Sequence, residues 1–172
     1  LKRQIASGLI SADWPLSPRT PGIPAWDSLS EKKQDEMDLK MSVYAAMIDR
    51  VDQNVGKLVT HLKKSKTFDN TLIFFLADNG GCQEGGMLGR GNFHDVEKRN
   101  QEHSNSYGEA WANASNTPYR KFKSTDYEGG IRTPFIAHWP GVIKPGMTNQ
   151  VGHIIDISAT FRDVTGAKYP KE

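Results

Sequence analysis

The longest regular pattern of apolar positions lies between residues 28 and 66. Alternating steps of four and three residues separate its apolar side chains: Met37, Met41, Tyr44, Ile48, Val51, Val55, Leu58 and Leu62. This spacing places them on one face of an amphipathic α-helix, and charged residues such as Asp49 and Lys57 fall on the solvated side. Ser28 and Glu31 have the spacing of a capping box. We therefore predict one long helix over residues 28–66 whose apolar face packs on a core.

Two short apolar runs predict strands of an α/β fold. Residues 71–77 (TLIFFLA) form a continuous apolar run, which is typical of a strand buried on both faces. A second candidate strand covers residues 133–139 and is followed by a turn signal at Pro140-Gly141. Residues 153–164 predict a short helix that ends before Gly166.

The remaining segments lack such periodicity. Prolines recur from Pro15 to Pro24, so residues 1–27 are predicted to be an extended connector. Trp14 and Trp26 within it need a surface to pack against, which indicates that the connector lies on a domain. Residues 82–122 are rich in Gly, Asn and Ser and exceed the length of an ordinary loop, which favours a functional loop.

The amino-acid composition does not indicate a particular binding partner. The 172 residues suit one domain or part of one. With 22 Lys and Arg against 20 Asp and Glu, the net charge of +2 gives no support for a nucleic-acid or membrane partner. We find no apolar stretch near the ~18 residues of a membrane span, and Cys82, the single cysteine, excludes an internal disulfide framework.

Asp78 and Asn79 directly follow the first predicted strand. A carboxylate and an amide oxygen at the carboxyl end of a buried strand lie where α/β folds place their sites. Both are hard oxygen ligands that suit Ca²⁺ or Mg²⁺ better than zinc, although a complete site needs further carboxylates. The alternative is an ordinary turn, which the sequence Asp-Asn-Gly-Gly also favours.

Lys123 precedes a second candidate site segment, residues 123–134 (KSTDYEGGIRTP). Gly129 and Gly130 permit close backbone approach, and a lysine beside them can place a point charge on a tetrahedral anion. The alternative is a solvated basic turn formed with Arg120 and Lys121.

Together these features resemble the sulfatase family of the alkaline-phosphatase superfamily. The resemblance rests on the order and spacing of residues 44–52 (YAAMIDRVD), 70–81 (NTLIFFLADNGG), 123–134 and 153–157 (HIIDI). Residues 106–118 are also similar to a loop of arylsulfatase-type members. The resemblance implies a partial alkaline-phosphatase-like α/β fold, with a mixed sheet flanked by helices. Residues 1–172 would form the C-terminal portion of a catalytic domain: connector 1–27, long helix 28–66, core strand and metal motif 71–81, active-site loop 82–122, and 123–172 with the sulfate-binding lysine, second strand and terminal helix.

The resemblance also implies roles for three residues. Asp78 and Asn79 would bind a divalent cation, usually Ca²⁺ with Mg²⁺ as the other choice, and Lys123 would be a catalytic residue that holds a sulfate oxygen. The family nucleophile is a formylglycine made from Cys or Ser in a Cys/Ser-x-Pro-Ser-Arg signature, which this chain lacks. Cys82 is not that position. We therefore expect an isolated chain that is inactive and needs the N-terminal part of its own domain.

Other candidate residues are assigned more ordinary roles. Arg132 is a candidate partner of Glu128, and Asn113-Ala114-Ser115 fits a glycosylation sequon with a high false-positive rate. We predict surface or structural roles for four histidines, His94, His103, His138 and His153.

The expected substrate is a sulfate-ester small molecule or a sulfated carbohydrate, in a periplasmic, secreted or lysosomal protein. Two alternatives stay open. A phosphodiesterase or phosphonate hydrolase of the same superfamily would use similar metal ligands with an upstream Thr or Ser nucleophile. A non-catalytic binding module would use the long loop as its recognition surface.

Overall fold

The computed structural model describes residues 1–95 and 105–169 of the chain. The helices and strands in these ranges are, in order, α1 (Lys2–Ala6), α2 (Glu31–Lys64), β1 (Ile73–Leu76), α3 (Gly108–Ser115), α4 (Glu128–Ile131), β2 (Phe135–His138) and α5 (Ile155–Thr165). Two 3-10 turns, Trp26–Ser28 and Phe68–Asn70, flank α2. In the described ranges, no helix is both long enough and apolar enough to cross a membrane.

Helix α2 confirms the long helix predicted from the apolar period, but its predicted start is wrong. Ser28 lies in a 3-10 turn, where its hydroxyl donates to the carbonyl oxygen of Ala25 at 2.6 Å. The hydroxyl therefore serves the turn and not the helix. Ser30 is the N-cap residue, and its side chain makes no capping hydrogen bond. The last turn carries basic residues, which complement the partial negative charge at a helix C-terminus.

Strands β1 and β2 form an antiparallel pair in which Ile73 lies opposite His138 and Leu76 opposite Phe135. Both predicted strands are confirmed with shorter bounds. The predicted burial of the first strand on both faces is wrong, since Phe75 is 48% exposed. Phe74 points the other way and stacks on Phe161 of α5, with ring centroids 5.6 Å apart. Helix α5 thus packs on part of one face of the pair, and the side chains of Phe75 and Ile136 on the other face are exposed in the described structure.

The core lies between the first half of α2 and the segment around α3. Its buried side chains are Tyr107, Ala112 and Phe122, packed against Met41, Tyr44 and Trp111. The Trp111 indole donates to the Met37 carbonyl oxygen at 2.8 Å. The apolar face of α2 was predicted to pack on a core, which is wrong for part of it. Four of its apolar side chains from the middle of the helix onward are exposed: Met47, Ile48, Val51 and Leu58.

The N-terminal connector lies on this core, as its tryptophans predicted. Trp14 packs on Tyr119 with centroids 5.9 Å apart, and Trp26 packs on Trp111 at 5.8 Å. The predicted extended form holds for the proline-containing part but is wrong for Lys2–Ala6, which forms α1. That short segment precedes the prolines, so nothing in its sequence prevents a helical turn.

The buried side chain of Lys40 links α2 to the loop after residue 82 by a hydrogen bond. The Lys40 ammonium donates to Glu36 at 2.9 Å and to the Leu88 carbonyl oxygen at 2.8 Å, and its side chain is 1% exposed. Lys33 is a second, more exposed partner of Glu36. Hydrogen bonds from Lys33 and Lys40 hold the pKa of Glu36 below its usual value.

We predict that Lys40→Met lowers the free energy of unfolding by about 1–3 kcal/mol, because it leaves the Leu88 carbonyl without its donor. Lys33→Met is the matched control, since it removes an exposed partner of the same carboxylate and should cost at most about 1 kcal/mol. Urea unfolding of the full-length protein measures both. Equal losses for the two variants would contradict a special role for the buried lysine.

Candidate active site

The loop after β1 carries the two predicted metal ligands. Asp78 is exposed and Asn79 is half-buried. The Asn79 side-chain nitrogen donates to the Gly80 carbonyl oxygen at 2.9 Å, which leaves the amide oxygen as its free atom. In the described part of the chain, the Asp78 carboxylate has neither a hydrogen-bond donor nor a cation as partner.

Backbone hydrogen bonds join this loop to the segment that carries Lys123. The Gly80 amide donates to the Gly130 carbonyl oxygen at 3.0 Å. The Lys123 amide donates to the Gly81 carbonyl oxygen, also at 3.0 Å. Two segments more than 40 residues apart in sequence thus form one unit, with both groups of candidate residues on it.

Glycine is required where these segments meet. A Cβ atom on Gly80 would overlap the carbonyl oxygen of Gly129, and a Cβ on Gly129 would overlap the carbonyl oxygen of Lys121. A side chain on Gly81 would lie 2.6 Å from the Tyr107 hydroxyl oxygen. Larger residues would therefore separate the segments. The close backbone approach that the glycines predicted is confirmed at these positions.

Asn116 is a structural residue of the site that the sequence did not reveal. Its side-chain oxygen accepts a hydrogen bond from the Gly81 amide at 3.0 Å. Its nitrogen donates to the carbonyl oxygens of Ala112 at 2.9 Å and Lys121 at 3.1 Å. One amide group thus links the metal-motif loop, α3 and the turn before Lys123. A lone asparagine in a polar loop gives no sequence signal for such a role.

Lys123 lies in a tight turn flanked by two left-handed residues, Lys121 (φ 68°) and Ser124 (φ 67°). Non-glycine residues seldom adopt this conformation, and it tends to occur where surrounding contacts fix the backbone. The Lys123 side chain is 37% exposed, and its ammonium lies 3.9 Å from a carboxylate oxygen of Glu84. Glu84 is not among the residues predicted for the site.

Two aromatic side chains pack beside the loop at Gly81. The rings of Tyr107 and Tyr44 stack with centroids 4.9 Å apart, and the Tyr107 hydroxyl lies next to Gly81. Burial raises the pKa of the Tyr107 phenol above its usual value. The phenol therefore stays neutral and acts as a packing surface for Gly81.

The long loop predicted over residues 82–122 contains a helix that was missed. Helix α3 begins at Gly108, which has a φ of 82°, and includes alternating alanines at positions 110, 112 and 114. Those alanines and Glu109 were a helical signal, but the surrounding Gly, Asn and Ser obscured it. The Asn113 oxygen accepts a hydrogen bond from the buried Thr20 hydroxyl at 2.8 Å, so this side chain is engaged inside the fold.

The remaining candidates have the ordinary roles predicted. Arg132 contacts Glu128 at 3.4 Å, and its guanidinium lies 5.0 Å from the ring centroid of Trp14 and 4.9 Å from that of Tyr119. Cys82 is a half-buried free thiol. Three histidines lie away from this unit: His94 is exposed, His138 packs on Phe68, and His153 lies at the start of α5. His103 lies outside the described residues.

The donor atoms of the loop fit part of a divalent-cation site. Asp78 and Asn79 offer hard oxygens, the ligands that Ca²⁺ and Mg²⁺ prefer. In residues 1–95 and 105–169, no three His, Cys, Asp or Glu side chains meet as a complete metal-binding cluster. The two residues therefore need further ligands to hold a cation tightly.

Comparison with known proteins identifies the family. The profile of the Sulfatase family matches residues 18–167. The chain belongs to the sulfatase family. An arylsulfatase of Klebsiella aerogenes is 32% identical over 176 residues, which covers 96% of this chain and 38% of that protein. An uncharacterised sulfatase of Schizosaccharomyces pombe is 32% identical over 162 residues, covering 87% of this chain and 29% of its own length.

A solved structure supports the same fold. The crystal structure of Ps i-CgsB in complex with k-i-k-neocarrahexaose matches with a TM-score of 0.51 and 29% sequence identity. The match covers 90% of this chain and 28% of that chain. The helices and the small antiparallel sheet are thus a partial α/β sulfatase fold of the alkaline-phosphatase superfamily. The chain spans less than two fifths of the length of these similar proteins.

We predict that Gly80→Ala lowers the free energy of unfolding by at least about 2 kcal/mol, because the new methyl group must displace the Gly129 carbonyl. Gly146→Ala is the control, since a Cβ there meets no atom within 4 Å. Urea unfolding of the full-length protein compares the two. A Gly80→Ala protein as stable as the control would contradict the close packing of the two segments.

Proposed function

We propose that this chain is part of the catalytic domain of a sulfuric-ester hydrolase. The observation that carries the proposal is the backbone pairing of Gly80 with Gly130 and of Gly81 with Lys123. This pairing brings a loop with two oxygen ligands beside a segment with an ammonium group. A cation and a lysine on adjacent segments suit the recognition of a tetrahedral anion.

Each residue has a defined part in this proposal. Asp78 and the amide oxygen of Asn79 bind Ca²⁺, or Mg²⁺, together with ligands outside the described residues. When bound, the cation supplies Lewis-acid stabilisation of developing negative charge. The Lys123 ammonium donates to a sulfate oxygen and compensates its charge. The nucleophile, a formylglycine, comes from outside this chain.

The proposed substrates are aryl sulfates or sulfated carbohydrates. An arylsulfatase is among the similar proteins, and N-acetylgalactosamine-6-sulfatase of Canis lupus familiaris is 30% identical over 130 residues, or 75% of this chain and 20% of its own length. The similar solved structure contains a bound neocarrahexaose. These names favour a sulfate ester without selecting one compound.

The exposed apolar surface supports the proposal that the chain needs another part of its own domain. The second half of α2 exposes Met47, Val51 and Leu58, and the open face of the strand pair exposes Phe75 and Ile136. Contiguous apolar surface of this kind usually marks a contact with another protein surface. The N-terminal part of the catalytic domain is the proposed contact.

Removing either charged group should abolish most turnover in the full-length protein. We predict that Lys123→Ala or Asp78→Ala lowers kcat/KM for 4-nitrophenyl sulfate by about 10²–10³-fold, because each removes charge stabilisation at the reacting ester. The matched controls Lys144→Ala and Asp69→Ala change exposed residues outside the site. Chelation with EDTA should abolish turnover, and added Ca²⁺ should restore it.

The released product distinguishes this function from the alternatives. Sulfate release is expected. Release of phosphate or phosphonate without sulfate would favour the phosphoryl-transfer relative. Loss of turnover in the two control variants would show that the effects of Lys123→Ala and Asp78→Ala are not specific.

We predict that residues 1–172 alone associate and bind an apolar dye, because the surfaces on α2 and the strand pair are uncovered. Coexpression with the N-terminal part should suppress both effects. Size-exclusion chromatography and dye fluorescence measure them, with the full-length protein as control. A monomeric isolated chain that melts cooperatively and binds no dye would instead support a stand-alone module.

A further inference from the structure

The carboxylate beside the anion-binding lysine has no role in the proposed reaction. The Glu84 carboxylate lies 3.9 Å from the Lys123 ammonium. It is the lysine's ion-pair partner in the part of the chain that the structure describes. A carboxylate at this position opposes the purpose of a site for anions, since it offsets the positive charge of the lysine.

The backbone on both sides of Glu84 is held by hydrogen bonds. Before it, the Gly81 amide is bound by Asn116 and the Gly81 carbonyl accepts from Lys123. After it, the carbonyl oxygens of residues 86 and 87 accept hydrogen bonds from the amides of Glu109 and Ala110 at the start of α3. These contacts hold the backbone of the segment beside Lys123, while the Glu84 side chain itself is 64% exposed.

The cations that precede Lys123 in sequence contact aromatic rings. The Arg120 guanidinium lies 4.7 Å from the ring centroid of Tyr127, and the Lys121 ammonium lies 5.7 Å from the ring centroid of Phe122. Both keep their positive charge, but neither is an ion-pair partner of Glu84 among the described residues. Lys123 is therefore the cation whose charge Glu84 directly offsets.

Sulfate and phosphate monoesters have nearly the same shape but different charge. A sulfate monoester carries one negative charge at neutral pH, whereas a phosphate monoester carries about 1.5 to 2. The Glu84 carboxylate repels the second charge of a phosphate ester and so reduces the attraction that Lys123 gives it. Two like charges roughly 5–6 Å apart in a partly hydrated site change binding by about three- to tenfold.

We propose that Glu84 is a specificity-determining residue that favours monoanionic over dianionic tetrahedral esters at Lys123. The inference rests on the proposed function, because it takes Lys123 as the residue that holds the anionic group. In this proposal Glu84 repels the ester, whereas Lys123 attracts it. Proteins commonly use such repulsion to discriminate between similar ligands.

The test compares three 4-nitrophenyl esters with the full-length protein at pH 8: the sulfate (monoanion), the phenylphosphonate (monoanion) and the phosphate (dianion). We expect Glu84→Gln to raise kcat/KM for the phosphate, relative to either monoanion, by about three- to tenfold. Glu84→Asp keeps the charge and should retain most of the discrimination. The change should shrink in 1 M salt, where charges are screened within about 3 Å.

Glu31→Gln is the matched control, because it removes the same charge from an exposed residue at the start of α2. It should leave the ratio unchanged. An unchanged ratio in Glu84→Gln, or an equal fall for all three esters, would overturn the proposal, since the second result indicates a structural role. If turnover is too slow to measure, calorimetric dissociation constants of the same esters give the same comparison.

The two proposals can fail separately. Absence of sulfate-ester turnover with measurable turnover of the phosphorus esters would refute the proposed function. The ratio of phosphate to phenylphosphonate would still test Glu84 in that case. Sulfate-ester turnover with an unchanged ratio in Glu84→Gln would refute the specificity role alone.

Discussion

The close approach of two glycine-containing segments is the constraint on which the candidate site depends. Gly80 can donate to Gly130 only because neither Gly80 nor Gly129 has a side chain at the contact. The Gly80–Gly130 hydrogen bond has an ordinary length of 3.0 Å, and it matters because it joins two segments that are far apart in sequence. The loop with Asp78 and Asn79 and the turn with Lys123 are held side by side, so backbone geometry sets the spacing of the two segments.

Contacts from Asn116, Tyr107 and helix α2 support the pairing of the two glycine-containing segments. Asn116 satisfies backbone groups on three segments at once. Tyr107 and Tyr44 connect this layer to α2 by ring stacking. On the far side, Lys40 donates to the Leu88 carbonyl, so α2 anchors one end of the loop that carries Glu84, and Asn116 binds the other end at Gly81. Helix α2 therefore supports the candidate site through its residues Tyr44 and Lys40.

Sequence reasoning succeeded where the physical cause is local and periodic. The apolar period predicted α2, and the apolar runs predicted β1 and β2. Family resemblance then predicted the sulfatase fold, which the comparisons confirm. The start of α2 was predicted wrongly because Ser28 has a local competing acceptor, the Ala25 carbonyl. Burial of Phe75 was predicted wrongly because burial depends on neighbouring strands, and the described part of this chain supplies one.

The site residues that the sequence missed act through contacts between distant segments. Asn116 lies 35 residues from Gly81, and Glu84 lies 39 residues from Lys123. Nothing in the residues beside them distinguishes either from an ordinary polar loop residue. Contacts between distant segments form only when the chain has folded. Here they depend on the close approach of Gly80 to Gly129, and the sequence around each glycine does not show which residue it will contact.

The pattern of satisfied and unsatisfied groups around β1 supports the assignment of Asp78 as a ligand. The amide nitrogens of Gly80 and Gly81 have acceptors, and the nitrogen of the Asn79 side chain has one too. In the described part of the chain, the Asp78 carboxylate has no such partner. An ordinary turn commonly uses an aspartate oxygen to bind its own backbone amides. Here the Gly81 amide donates to Asn116 and the Gly80 amide donates to Gly130, so neither amide occupies the Asp78 carboxylate. An uncommitted carboxylate can supply one of the several oxygen ligands that a hard cation takes, and the other ligands would have to come from elsewhere.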